Sequence, residues 1–150
     1  MTGSDEVERY LAAVPAPEAR AALALGERPH AAVAVLDEAM VARAHDRVRE
    51  TDDPTAHAVI VALREAARRV GPDRLRDVTV FCTIEPCPMC VGALLNSDVE
   101  ELVFAVPDAR GGAAGGAVQL AAHPGLGQRI RVVSGIRRDE VEELYASAPG

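Results

Sequence analysis

Cysteine is too scarce in this chain for a disulfide framework: there are three, two of them share one short motif, and only Cys82 is left over. Long apolar runs are missing too, and nothing approaches the length of a membrane span. The opening Met1-Thr2-Gly3-Ser4-Asp5-Glu6 has neither the basic nor the apolar stretch of a secretory leader. These absences set the expectation of a cytoplasmic protein with no membrane partner. A basic balance is lacking as well. The formal net charge is −7 and the pI is near 5.1, which argues against a broad nucleic-acid footprint but leaves room for a local basic groove. No internal repeat and no linker is evident.

What remains suffices for one folded unit. At 150 residues, 49% of them hydrophobic, the chain is expected to form a single domain, 1–150, around one core. Helical pattern covers 6–14, where Pro15 and Pro17 stop it, and again 18–25, ended by Gly26. The apolar run 31–36 and the segment 40–45 read as strands joined by a turn at Asp37-Glu38, hence a hairpin. A polar loop, 46–54, leads to Thr55 as the cap of a long helix that turns Val61, Leu63, Ala66 and Val70 toward a sheet. Gly71-Pro72 breaks that helix, and 78–84 is the clearest buried strand. A cysteine-bearing helix runs to about Asn96, a strand covers 103–106, and the glycine-rich 111–116 reads as a flexible loop. A last strand, 130–133, precedes a terminal helix, 139–146. Strands alternating with helices after an opening hairpin predict a three-layer α/β/α sandwich with a mixed central sheet.

The chemistry concentrates in Pro86-Cys87-Pro88-Met89-Cys90, read together with His57 upstream. Cysteines at i and i+3 place both sulfurs on one side of a helix's first turn, where the positive helix end and a cation favour thiolates. Pro88 suits that start, because a first-turn residue needs no amide donor. A Cys-x-x-Cys pair plus one distant histidine is the three-ligand set of a catalytic zinc, with the fourth position left for water. A redox pair is the competing reading. Pro88 inside the motif and the upstream histidine favour zinc, held by His57, Cys87 and Cys90.

The stretch Asp53-Pro54-Thr55-Ala56-His57-Ala58, the Glu85-Pro86-Cys87 start of the cysteine motif, Asp108-Ala109-Arg110 with 111–115, and His123-Pro124-Gly125 resemble the zinc-dependent cytidine/deoxycytidylate deaminase family. The likeness is greatest to its bacterial tRNA adenosine deaminase and nucleoside deaminase branch, with guanine deaminases next; Gly135-Ile136 followed by Asp139-Glu140 points the same way. The resemblance implies the cytidine deaminase-like fold, zinc as cofactor, hydrolytic deamination at C6 of adenine or C4 of cytosine, and a homodimer. It also implies a substrate pocket built from His30, Asp46, Ala58, Glu85, Pro86 and Asp108.

Several positions depart from the family pattern. Its signature is His-x-Glu, and the glutamate that shuttles protons is here Val59. Pro29-His30-Ala31-Ala32 stands where a Gly-Ala pair usually follows the proline, and Asp46 replaces an asparagine expected to read the purine. The chain end, through Tyr145 to Ser147, lacks an aromatic-basic tail. Valine cannot transfer protons, a loss of ~10²–10⁴-fold or more. The expectation is therefore a deaminase of a nucleobase or nucleoside, purine type favoured, that is inactive or inactivated as written. Free nucleobase or nucleoside is favoured over tRNA because of the acidic balance, with tRNA adenosine-to-inosine deamination the alternative. A second class of reading is a non-catalytic zinc protein that binds a ligand or partners an active subunit; a third is another hydrolysis with Asp46 or His30 as base. Cys82 reads as a buried hydrophobe, His123 as a loop residue, and Glu85 as a structural carboxylate holding backbone amides.

Overall fold

The computed structural model describes residues 15–146. The helix predicted over 6–14 and the Ser147 end of the chain lie outside them. Five strands form one sheet in the order β2-β1-β3-β4-β5: β1 is Ala31–Leu36, β2 Ala39–His45, β3 Thr79–Ile84, β4 Glu101–Val106 and β5 Arg131–Ser134. β1 runs antiparallel to both β2 and β3, whereas β3, β4 and β5 are mutually parallel neighbours. The sheet is mixed, as the sequence predicts. The hairpin turn is two residues long, and Asp37 and Glu38 both take positive φ, 50° and 66°. That handedness matches the strand twist.

Alternation along β1 divides the core in two. Ala32, Ala34 and Leu36 join the large cluster under helices α3 (Ala58–Val70) and α4 (Pro88–Asn96). Val33 points the other way and packs with Phe81 and Val103. That second face is covered by α1 (Ala16–Ala24) and α5 (Arg138–Ala146): Ala16 and Ala19 meet Ala31 and Leu144, and Val141 meets Ala105. Three layers result. No helix among the described residues is long and apolar enough to cross a membrane.

Several boundaries differ from expectation, each for a local reason. α1 starts at Ala16, two residues ahead of the expected 18, with Pro15 as its N-cap and Pro17 in the first turn, where no amide donor is required. Thr55 does not cap α3. Its N–H and hydroxyl both engage Asp53 Oδ1, at 2.8 and 2.7 Å, in a turn that delays the helix until His57 occupies the N-cap. The buried stripe of α3 is Ala58, Val59, Ala62, Leu63 and Ala66, so Val61 and Val70 fall at its margins, only partly buried. The loop expected over 46–54 contains a short helix, α2 (Val48–Thr51), because buried Glu27 accepts the Arg49 and Glu50 N–H groups at 3.0 and 2.8 Å.

Candidate functional site

Two helix N-termini converge beside the C-terminal end of β3. His57 is the N-cap of α3 and Cys87 the N-cap of α4, both with extended backbone. Cys90 follows one turn into α4, with Pro88 at the position that needs no donor. The His57 Nδ1 atom lies 3.5 Å from Cys87 Sγ and 3.6 Å from Cys90 Sγ, and all three ligand atoms lie within 4.8 Å of one another. Zinc bonds of about 2.3 Å to sulfur and 2.0–2.1 Å to nitrogen, at a tetrahedral angle, would separate a ligand nitrogen and sulfur by about 3.5 Å. One nitrogen and two thiols at that spacing fit zinc and leave one tetrahedral position open.

The two thiols differ before any metal binds. A hydrogen bond from Cys90 holds the Cys87 thiol down at about 5, opposed by partial burial and helped by His57. Cys90 is pushed up, first by that same bond to Cys87 and then by burial. Cys82 is buried and its thiol is raised by desolvation, as suits a packed apolar residue.

The three centres open on a small cleft of about 170 Å³. All six residues named from the resemblance line it: His30, Asp46, Ala58, Glu85, Pro86 and Asp108. Asp46 is 1% exposed. Its Oδ1 accepts the Ala58 N–H at 2.9 Å, supplying the first turn of α3 with a cap from outside the helix. Its Oδ2 takes both Arg28 Nε and Nη2, at 3.0 and 2.7 Å. Arg28 was not singled out from the sequence; its one signal there was a cation beside Pro29-His30.

Glu85 behaves as the structural carboxylate expected of it. Oε1 accepts the Asp108 N–H at 3.0 Å, and Oε2 accepts those of Ala114 and Gly116 at 2.9 and 2.8 Å. The glycine run is therefore a wrapping for a buried carboxylate, not the flexible loop its composition suggested. A Cβ at Gly112 would stand 2.2 Å from the Glu85 carboxyl carbon, and one at Gly116 would stand 2.2 Å from the Asp108 carbonyl oxygen. Asp108 in turn accepts the Arg110 and Gly111 N–H groups, at 3.0 and 3.1 Å, and fixes the corner of the loop.

Val59 is 5% exposed and forms part of the pocket wall, one residue beyond the start of α3. The pocket carboxylates Asp46, Glu85 and Asp108 all hold backbone N–H groups. His30 lies under the pocket with Nδ1 2.8 Å from the Tyr145 hydroxyl, which lies 3.1 Å from Thr83 Oγ1. Burial pushes His30 down to about 4. Neither Tyr145 nor Thr83 carries a sequence signal of its own: Tyr145 lies far from the motifs in the chain, and Thr83, two residues before Glu85, reads only as part of a buried strand. His123 is exposed, does not line this pocket, and accepts the Gly125 N–H at 2.9 Å as a loop residue.

Comparison with known proteins returns the same chemistry. The model of a family described as the cytidine and deoxycytidylate deaminase zinc-binding region matches residues 5–106. The chain is 40% identical to a tRNA-specific adenosine deaminase of Bacillus subtilis over 124 residues, 82% of this chain and 76% of that protein. It is 36% identical to a protein of the same name from Agrobacterium fabrum over 127 residues, 85% and 84% of the two chains. A structure solved in a study of A-to-I editing by tRNA:A34 deaminases superposes with a TM-score of 0.83 at 35% identity, covering 87% of this chain and 95% of the other. A guanine deaminase from Nitrosomonas europaea gives 0.74 at 27% identity, covering 88% and 79%.

Proposed function

This chain belongs to the cytidine and deoxycytidylate deaminase zinc-binding family, and we propose that it is a zinc-holding member of the tRNA adenosine branch whose proton-shuttle position has been vacated. The observation that carries this is the pairing of an intact His57, Cys87 and Cys90 cluster with Val59 in the adjoining pocket wall. The tRNA part of the reading is supported by the names of the curated relatives. A preference for a free nucleobase or nucleoside draws no support from those names, and the acidic balance does not argue for it, because net charge describes the whole surface and not a local groove.

His57, Cys87 and Cys90 would hold the zinc, which when bound supplies Lewis-acid activation of water at neutral pH. Helix N-termini at both His57 and Cys87 favour the thiolate forms that such binding needs. Asp46 keeps the first turn of α3 in place, and Arg28 keeps Asp46 in place. Glu85 sets the far wall by gathering 108–116 around itself. Deamination also requires a group that takes a proton from water and delivers protons to the ring and the leaving amine. Val59 has none to give. Asp46 has both oxygens engaged, and His30, pushed down to about 4, is a weak base.

The second reading, a non-catalytic zinc protein that binds a ligand or serves an active partner, draws on the same Val59. Ammonia release from an anticodon stem-loop with adenosine at the wobble position separates the two. The expected result is slow turnover by the chain as it stands and a rise of at least ~10²-fold in Val59→Glu, with zinc content unchanged. Ordinary rates without the substitution, and no gain with it, would refute the shuttle assignment. A zinc-loaded Val59→Glu protein that deaminates nothing would favour the non-catalytic reading.

A further inference from the structure

His30 is tied down on one edge and open on the other. Its carbonyl accepts the Asp46 N–H at 2.9 Å, and its Nδ1 meets the Tyr145 hydroxyl at 2.8 Å. Tyr145 comes from α5, on the opposite face of the sheet, and its ring also packs on the imidazole with centroids 5.3 Å apart. Behind it, Thr83 Oγ1 accepts the Ala31 N–H at 3.0 Å and lies 3.1 Å from the Tyr145 hydroxyl, nearer than the Pro29 carbonyl at 3.3 Å, so that its own hydrogen can go to the Tyr145 oxygen. Nε2 has no hydrogen-bond partner among the described residues and is not sealed away from the pocket. His30 lines the pocket, so the unpaired nitrogen is the one left for a ligand.

The hydrogens follow from the chemistry of the pair. Burial keeps the imidazole neutral at physiological pH and the Tyr145 phenol protonated, so one nitrogen carries a hydrogen and the other a lone pair. A neutral imidazole nitrogen is a far better acceptor than a phenol oxygen, and a phenol is a strong donor. With the Thr83 hydroxyl donating to the Tyr145 oxygen, 3.1 Å away, the Tyr145 O–H donates to Nδ1, and the imidazole hydrogen is left on Nε2.

We propose that His30 is a specificity-determining residue whose Nε2–H donates to an acceptor atom of an adenine-type ligand, with Tyr145 as the positioning residue that fixes its ring. An adenine ring offers unprotonated nitrogens as such acceptors. The ligand's class rests on the proposed function; the donor at Nε2 stands independently of it, on the hydrogen-bond geometry and the neutrality of the buried pair. Tyr145 reaches His30 from the far side of the sheet and does not itself line the pocket.

The test is ¹⁵N NMR of the histidine rings in the zinc-loaded protein, together with titrations of an anticodon stem-loop carrying adenosine at the wobble position. The expected spectrum has His30 in the Nε2–H form, and in Tyr145→Phe this signature gives way to mixed tautomers while the fold persists. The stem-loop should shift the His30 Nε2–H signal. Affinity should fall about 3- to 10-fold in His30→Phe and be largely restored in His30→Gln, which replaces the donor. An Nδ1–H tautomer, or His30 signals unmoved by the bound stem-loop, would overturn the proposal; so would unchanged affinity in His30→Phe. If His30→Phe does not fold, the tautomer and the titration shift still decide. Wild-type protein that binds no such stem-loop would overturn the substrate reading, and the ring tautomer would then judge the donor separately.

Discussion

Cys87 and Cys90 are three residues apart and meet opposite environments. Cys87 is half-buried at a helix N-terminus and accepts the Cys90 S–H, so its thiol is held down at about 5; Cys90 sits inside and is pushed up. Because the Cys87 value is depressed, its thiolate is present above about pH 5 and is lost as pH falls through that value. In metal-free protein, iodoacetamide at pH 7 should therefore modify Cys87 well before Cys82 or Cys90, with the rate dropping toward pH 4. Peptide mapping of the alkylated protein checks it, and zinc should protect Cys87. Uniform reaction of all three cysteines would contradict the assignment. Asp46 illustrates the same dependence on surroundings, since a carboxylate 1% exposed is tolerable only with Arg28 and the Ala58 N–H to satisfy it.

Among elements, the glycine-rich loop carries the most order for the least side chain. Glu85 is 3% exposed and needs hydrogen-bond donors on several sides. Backbone N–H groups of 108, 114 and 116 supply them only if the chain comes close enough that Gly112 and Gly116 have no room for a Cβ. Gly116→Ala should cost about 1–3 kcal/mol of stability from forced displacement. Gly127→Ala is the contrast for crowding, since a Cβ there meets nothing within 4 Å and only its positive φ of 69° opposes the change. Urea denaturation of both variants measures the difference, and equal, small losses would mean that the loop yields freely. The hairpin at the other end of the sheet follows a simpler rule, with two consecutive positive-φ residues turning the chain in the sense of the strand twist.

For the whole molecule, the metal cluster matters because it joins α3 to α4 on one face of the sheet. Zinc bound to the folded state and not to the unfolded chain stabilises by about 2.7 kcal/mol at a hundredfold excess over Kd. For a domain of this size that corresponds to roughly 5–10 °C in thermal midpoint. Scanning calorimetry with and without a chelator should show a shift of that order, together with one zinc per chain by elemental analysis. Protein purified without chelator that contained no zinc, or a midpoint indifferent to chelation, would contradict the site.

Local pattern in the chain was enough to determine β1, the helix starting at Pro88, and the terminal helix, each within a residue or so of its observed bounds, because period and turn chemistry act over a few neighbours. The spacing of His57, Cys87 and Cys90 likewise made the metal cluster legible, since ligand chemistry restricts which residues can serve. Val59 could be recognised only by resemblance. What the tertiary structure alone decided is which distant groups meet. Arg28 closes on Asp46 across 18 positions, Tyr145 reaches His30 across 115, and Glu85 gathers a loop that composition alone marked as loose. Buried polar groups must be satisfied by whatever the fold brings beside them, and no local pattern records that requirement.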